Sequence, residues 1–243
     1  MTTTLILGAL VSGVAGFVQG CGGFGLGLTA APTLMLVLHA DGRFVTPVVL
    51  TLSICNSFIV LLDAHRYVQL RLVVPLVCGG VLGAPLGIGI LRVVDPAQFK
   101  FGVGVFVVLV AGVLLSGWRK AVPNAVYTLF PVGLASGILG GATAMGGPPA
   151  ILFLANQRTP KDTFRASLIA FFFSVSCFTI GVFFWHGMYT AEVARTSVIF
   201  LPAMIAGTWL GVRTARHVPD DKFRTAAILA AGLMGMVLLL TSL

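Results

Sequence analysis

A ten-residue glycine-rich stretch occurs twice in this chain. Gly16-Phe17-Val18-Gln19-Gly20-Cys21-Gly22-Gly23-Phe24-Gly25 returns as Gly137-Ile138-Leu139-Gly140-Gly141-Ala142-Thr143-Ala144-Met145-Gly146, so Gly16, Gly20 and Gly25 each recur 121 positions later. Each copy sits in a long apolar segment that carries no charge through its glycine-rich part. Glycine weakens a helix by about 1 kcal/mol per residue relative to alanine, so two helices are interrupted at matching places in two halves. In membrane proteins, paired interruptions are the best sequence pointer to a substrate site.

Only 9% of the 243 residues are charged, 58% are hydrophobic, and the mean hydropathy is +1.05. A soluble domain carries about 25% charged residues, so most of this surface must face lipid. Val45–Leu62, Leu72–Leu91, Phe101–Trp118, Ala166–Trp185, Thr196–Val212 and Thr225–Leu243 are uncharged runs near the roughly 17–25 residues that a span needs. Leu5–Leu38 and Ala121–Gln157 are too long for one simple span. The start, Met1-Thr2-Thr3-Thr4-Leu5, has no basic n-region, so a cleaved signal peptide is not expected.

The net charge is +8, but the 15 basic residues are scattered among short loops. That pattern suits topology determinants and contact with anionic lipid head groups, not nucleic acid. Cys21, Cys55, Cys78 and Cys177 lie in apolar segments with no C-x-x-C. A disulfide framework, a metal site and a redox dithiol are therefore not expected, nor is any cofactor.

The repetition extends past the glycines. His186 follows His65 by the same 121 positions. Further on, Gly83-x-x-x-Gly87 and Gly207-x-x-x-Gly211 are 124 apart, as are Phe99-Lys100 and Phe223-Arg224; a few inserted residues would explain the change. Glycines four apart let helix backbones approach closely. The halves divide near Lys120–Pro123, giving repeats 1–121 and 122–243 of a single transmembrane domain. The expected fold is an all-α polytopic membrane protein of two homologous repeats. Each repeat holds a Gly-rich broken or re-entrant helical segment plus three transmembrane helices.

Two topologies fit this pattern. If every segment crosses once, there are eight spans and the basic residues divide ten against five. Arg43, Arg92, Lys100, Arg158, Lys161, Arg165, Arg213, Arg216, Lys222 and Arg224 then face Arg66, Arg71, Arg119, Lys120 and Arg195 across the membrane. If each Gly-rich segment is a re-entrant hairpin, the division is eleven against four, with Arg43, Arg92, Lys100 and Arg195 outside. Both put the two termini in the periplasm and Arg158–Arg165 and Arg213–Arg224 in the cytoplasm. Three spans per half would make the repeat inverted. The 34 residues of Leu5–Leu38, about 51 Å of helix, favour the hairpin. Trp118 and Trp185 at span ends read as interface anchors.

A Gly-rich break within the membrane leaves backbone groups without helical partners, tolerated only where protein buries them or water reaches them. A helix beginning after the break points its N–H groups and positive dipole end inward, which favours an anion. Pro148-Pro149, after Gly146-Gly147, suits a fresh helix start; in the first copy Pro32 comes later. No Lys or Arg lies in these central segments, so backbone amides must supply most of the positive potential.

The motif pair resembles the signatures of the TauE/SafE family of membrane permeases, also described as sulfite exporters. That family carries a G-x-x-x-G-x-x-G-x-G-G-like signature in each of two tandem repeats, the second commonly ending in G-G-P. Here Gly16, Gly20, Gly23 and Gly25 carry the first, and Gly137, Gly141, Gly146, Gly147 and Pro148 the second. The resemblance covers the chain in length and repeat plan, with the specific residues confined to the two signatures. It implies transport of sulfite, sulfonates such as sulfoacetate and related small organosulfur anions, usually by export across the bacterial inner membrane. Leu26 and Ala144 stand where glycine would be usual, and Thr143 and Met145 diversify the second loop. Substrate identity is left open by these departures.

The expected substrate contacts are Gln19, Gly20, Cys21, Gly22, Gly23 and Gly25 in the first motif, and Gly141, Thr143, Ala144, Met145, Gly146 and Gly147 in the second. Cys21 reads more readily as a small packing residue. Asn56 joins the set because an amide is costly against lipid; it lies beside Ser53 and Cys55, matched by Ser174, Ser176 and Cys177. Asp63, His65 and His186 are the titratable groups near span ends that a proton-coupled step would use, and they also read as interfacial residues. No G-x-x-x-x-G-K-[ST] or H-E-x-x-H is present, which points away from ATP hydrolysis and enzymes toward a secondary carrier. An uptake permease for another small organic anion and a passive anion channel are the alternatives. The expected partners are the small anion and the lipid bilayer, with a homodimer allowed.

Overall fold

The computed structural model describes residues 2–95, 126–156 and 160–214, with isolated positions between 98 and 116 and at 233, 236 and 240. Half of the expected span Phe101–Trp118, most of Thr225–Leu243, the Phe99-Lys100 and Phe223-Arg224 match, and the division near Lys120–Pro123 lie outside the described residues. Among those residues every element is helical. Helices α1 (Thr2–Gly22) and α2 (Leu26–Val37) flank the first Gly-rich break, and α3 (Gly42–Ala64) and α4 (Leu70–Val93) follow across a short 3-10 turn. Helices α5 (Val126–Thr143) and α6 (Gly147–Asn156) flank the second break, and α7 (Lys161–Trp185) and α8 (Ala191–Thr214) complete the series.

Six of these, all but α2 and α6, are long and apolar enough to cross a membrane, so the chain is a multi-pass membrane protein. The 12 residues of α2 and 10 of α6 rise only about 18 and 15 Å, against a hydrocarbon core of about 30 Å. Leu82, Leu86, Val198 and Leu210 are exposed along the long helices, as lipid-facing surfaces require.

Element ends keep the 121-residue interval. Gly22 and Thr143, Leu26 and Gly147, Ala64 and Trp185, Leu70 and Ala191, and Val93 and Thr214 are each 121 apart. The 124-residue spacing of the Gly83/Gly87 and Gly207/Gly211 pairs is therefore no insertion; the glycines are displaced by three residues along a helix of unchanged length.

Local signals set the helix ends. Asp41 accepts a hydrogen bond from the Phe44 N–H (3.2 Å) and caps α3. The Arg43 guanidinium donates to the carbonyls of Leu91 (3.3 Å) and Arg92 (2.8 Å), meeting the open end of α4.

The two most extensive packing seams each join one half of the sequence to the other. In one, α1 runs parallel to α8, with Gly13, Gly16 and Gly20 against the backbone of Ala203, Met204 and Thr208. In the other, α5 runs parallel to α4, with Gly133, Gly137 and Gly141 against the carbonyls of Leu76, Gly80 and Ala84. Gly83/Gly87 and Gly207/Gly211 lie in these same seams, against Leu134 and Ile138 and against Gly13 and Phe17. Only a residue without a Cβ allows backbones this close, and the gain is van der Waals contact.

Helices α3 and α7 pack antiparallel. Asp63 near the end of α3 pairs with Arg165 near the start of α7 at 3.7 Å, and the Gln69 N–H donates to Ser167 Oγ (3.4 Å) at the same end. At the opposite end, Thr46 near the start of α3 donates to the carbonyl of Ala142 near the end of α5 (3.3 Å). Thus α1 runs toward the Arg165 end of the bundle and α5 toward the Arg43 end.

Candidate functional site

Each break is made by a residue in the left-handed region. Gly23 (φ +77°) and Ala144 (φ +59°), 121 apart, take this conformation, and Gly25 (φ +105°) precedes α2. The Gly23 N–H donates to the Gln19 carbonyl and the Ala144 N–H to the Gly140 carbonyl, both at 2.8 Å, closing the last turn of α1 and of α5. Glycine adopts this backbone freely, whereas alanine is strained by about 1–2 kcal/mol. Ala144→Gly is therefore expected to stabilise the protein by about 1 kcal/mol, raising the detergent-solubilised Tm by about 2–4 °C. An unchanged or lower Tm would show that the alanine methyl contributes more packing than its backbone costs.

The two breaks touch. A Cβ placed on Gly27 would strike the carbonyl of Ala144 and lie 3.4 Å from the Met145 Cα, and Met145 itself is buried. Beside this junction is a cavity of about 50 Å3. Its walls are Gln19, Gly25, Gly27 and Leu28 from the first break, and Gly140, Ala144, Met145, Gly146, Gly147 and Ile151 from the second. Leu50 and Ser53 of α3, Ser136 of α5, and Phe171, Phe172, Val175, Ser176 and Thr179 of α7 complete it. A water-sized group needs about 10–15 Å3 on this measure, so the space suits a head group of about four heavy atoms.

The polar lining is neutral. Gln19 Nε2 donates to Ser57 Oγ (3.3 Å), and Thr179 donates to the Val175 carbonyl (2.6 Å). Ser136 Oγ is buried and has no hydrogen-bond partner among the described residues. The first-turn amides of α2 have no intrahelical acceptors, whereas Pro148 and Pro149 remove two donors from the start of α6. The two helix starts are thus unequal, α2 offering the more complete set of amides.

Of the residues expected from the sequence, Gln19, Gly25, Ala144, Met145, Gly146 and Gly147 line the cavity. The others lie elsewhere. Gly20 and Gly141 face the backbones of α8 and α4, and Cys21 Sγ donates to the Gly211 carbonyl (3.1 Å) in the α1–α8 seam. Gly22 ends α1, and Gly23 abuts the Arg165 side chain. Asn56 is buried where α1, α3 and α8 cross, its Nδ2 donating to Thr208 Oγ1 (3.0 Å). Thr143 stitches its own break, accepting from the Met145 N–H (3.0 Å) and donating to the Leu139 carbonyl (2.7 Å).

The three groups considered for proton coupling are not brought together. Asp63 pairs with Arg165. His65 and His186 each contact a carbonyl of their own helix through Nδ1, at 3.1 and 2.9 Å, and they cap α3 and α7 at opposite ends of the bundle. Arg165 Nη2 also donates to the Gly20 carbonyl (2.8 Å) at the end of α1.

Sequence reasoning missed Gly27, Ser136, Gly140, Phe171, Phe172 and Thr179. One of them was reachable by the repeat interval, since Gly140 follows Gln19 by 121. Ser136 was hidden among the packing glycines of α5.

Among the described residues no cluster of His, Cys, Asp or Glu could hold a metal ion. The family described as sulfite exporter TauE/SafE matches residues 8–238. A protein of Cupriavidus necator named probable sulfite/organosulfonate exporter TauE is 27% identical over 212 residues, covering 83% of this chain and 80% of the relative. No solved structure matches. With both glycine-rich signatures and the paired helix breaks inside the matched span, the chain belongs to the TauE/SafE family of membrane transporters.

Proposed function

We propose that the chain is a secondary carrier that exports small sulfur-containing anions, sulfite or organosulfonates, across the bacterial inner membrane. The observation that carries this reading is the cavity of about 50 Å3 where the two breaks meet, lined by hydroxyls, an amide and glycine backbone. Its size excludes drug-sized ligands, which occupy roughly 300–1,000 Å3. Gly25, Gly27 and Leu28 at the start of α2 line the cavity, and the N–H groups and positive dipole end of a helix start suit an oxyanion.

The chain reads as an inverted repeat with hairpin topology. In the eight-span alternative, Asp63 and Arg165 would lie on opposite membrane faces; their separation of 3.7 Å supports the hairpin. The antiparallel packing of α3 and α7 agrees with it. The Arg165 end, which also carries Arg66, Arg71 and Arg213, is then cytoplasmic and both termini are periplasmic. A recess of about 480 Å3, lined by His39, Phe44, Glu192 and Arg195 among others, opens at the opposite end. With the four native cysteines replaced, a cysteine at position 66 is expected to label only from the cytoplasmic side. Periplasmic labelling would restore the eight-span arrangement.

Alternating access in this fold moves helix pairs rather than sequence halves. The glycine seams bind α1 to α8 and α4 to α5, so rocking one half against the other would open both seams. The α1–α8 and α4–α5 pairs are the natural rigid units, with the breaks at their joint.

Counterflow tests the function. Proteoliposomes loaded with unlabelled sulfite or sulfoacetate should accumulate the labelled anion saturably. Linear, non-saturating entry without exchange would instead mark a channel.

A further inference from the structure

We propose that the central cavity accepts its substrate only as a monoanion, so that sulfite is carried in its singly protonated form and brings a proton with it. The proposal rests on the carrier reading above and adds the charge state of the ion carried.

Among the described residues every donor around the cavity is neutral. Ser136, 1% exposed at the residue level, lines the space, and its buried Oγ has no hydrogen-bond partner among the described residues. Ser53, Ser176 and Gln19 line it too, and the first turn of α2 adds backbone amides. No Asp, Glu, Lys, Arg, His, Cys or Tyr side chain is among the lining residues of α1, α2, α3, α5, α6 and α7. The charged groups at the nearest helix ends are Arg165 and Asp63, engaged with one another and, through Arg165, with the Gly20 carbonyl. The rest of the wall is apolar, including Phe171 and Phe172.

Charge arithmetic then separates the ionic forms. The cost of leaving water grows with the square of the charge, so a dianion loses about four times what a monoanion loses. The return from neutral dipoles grows only in proportion to the charge, so it doubles. A site of hydroxyls and amides can offset the first cost and falls short of the second.

For sulfite the balance is simple. One proton joins the dianion in water at the entry face, forming hydrogen sulfite, and the same proton is released in water at the exit face. No electron moves, and each turnover transfers one negative charge. Methanesulfonate, a simple alkylsulfonate, is a monoanion throughout and carries no proton, whereas sulfoacetate, a dianion at neutral pH, would cross only with its carboxyl protonated. Proton-linked flux would thus arise without any titrating side chain at the cavity.

The test compares counterflow of labelled sulfite and labelled methanesulfonate in proteoliposomes from about pH 6 to about pH 8.5, net of protein-free vesicles. At fixed total concentration, well below saturation, sulfite exchange is expected to fall about tenfold per pH unit above the dissociation of hydrogen sulfite. Methanesulfonate exchange is expected to stay level. Ser136→Ala should raise KM for both anions about tenfold and leave both pH profiles in place. Sulfite exchange independent of pH would overturn the proposal while leaving the carrier reading intact. A parallel fall for both anions would also overturn it, by assigning the proton to the protein. Absence of exchange for either anion, with folded protein in the vesicles, would overturn the carrier reading and this proposal together.

Discussion

Gly147→Leu is expected to fold, insert and lose counterflow by about a hundredfold or more. A Cβ at 147 meets only the Cδ1 of Ile151 at 2.9 Å and the ring of Phe172 at 3.4 Å. The nearer neighbour is the far end of a flexible side chain, so the backbone need not move. The remaining leucine atoms extend beside a cavity of only about 50 Å3, where they compete directly with the anion. Gly147→Ala should fold equally well and retain part of the activity. The measurement is labelled-anion exchange together with a detergent melting curve for each variant. Full exchange by a folded Gly147→Leu protein would remove the cavity from the transport path. Neighbouring glycines cannot serve for this test. A Cβ on Gly27 or Gly146 meets the carbonyl of Ala144 or of Ser136, so loss of activity there would be inseparable from loss of structure.

The second large effect falls on stability and has its control two residues away. Gly87 and Gly89 both lie in α4. A Cβ on Gly87 meets the Ile138 carbonyl and, at 2.8 Å, the Ala142 nitrogen, whereas a Cβ on Gly89 meets nothing within 4 Å. Gly87→Ala must push α4 away from α5 along a seam that joins the two halves, at an expected cost of about 3 kcal/mol. Gly89→Ala adds helix propensity with no collision and should stabilise by about 1 kcal/mol. Opposite shifts in Tm, measured side by side in detergent, are the expected result. Shifts of the same sign would show that propensity, not backbone contact, governs glycine in α4.

Much of the architecture was legible before any coordinates. Charge content and uncharged runs identified a polytopic helical membrane protein, because twenty apolar residues have few other stable fates. The 121-residue interval foretold paired breaks, and Gly23 and Ala144 share that interval as well as their left-handed backbone. Gly83/Gly87 and Gly207/Gly211 were readable as packing glycines by their spacing alone. Lys/Arg counting could not choose a topology, since both arrangements satisfied it; the pairing of Asp63 with Arg165 is the observation on which the hairpin is proposed.

The site was less legible because glycine has two uses that look identical in a sequence. Gly20 and Gly141 stand within the same signatures as Gly25 and Gly146, yet the former pair lies in the helix seams and the latter lines the cavity. Which use applies depends on the direction a residue faces after its helix has docked, a property of neighbours far away in the chain. Thr143 and Asn56 show the same dependence, their side chains turned to a local backbone amide and to Thr208. Ser136 is the converse: nothing in its sequence context singles it out, and only the arrival of α6 and α7 makes it part of a cavity wall. Apolar length and repeat interval are local quantities that one strand of sequence can carry. The membership of a cavity belongs to the several helices that close it, and packing alone assigns it.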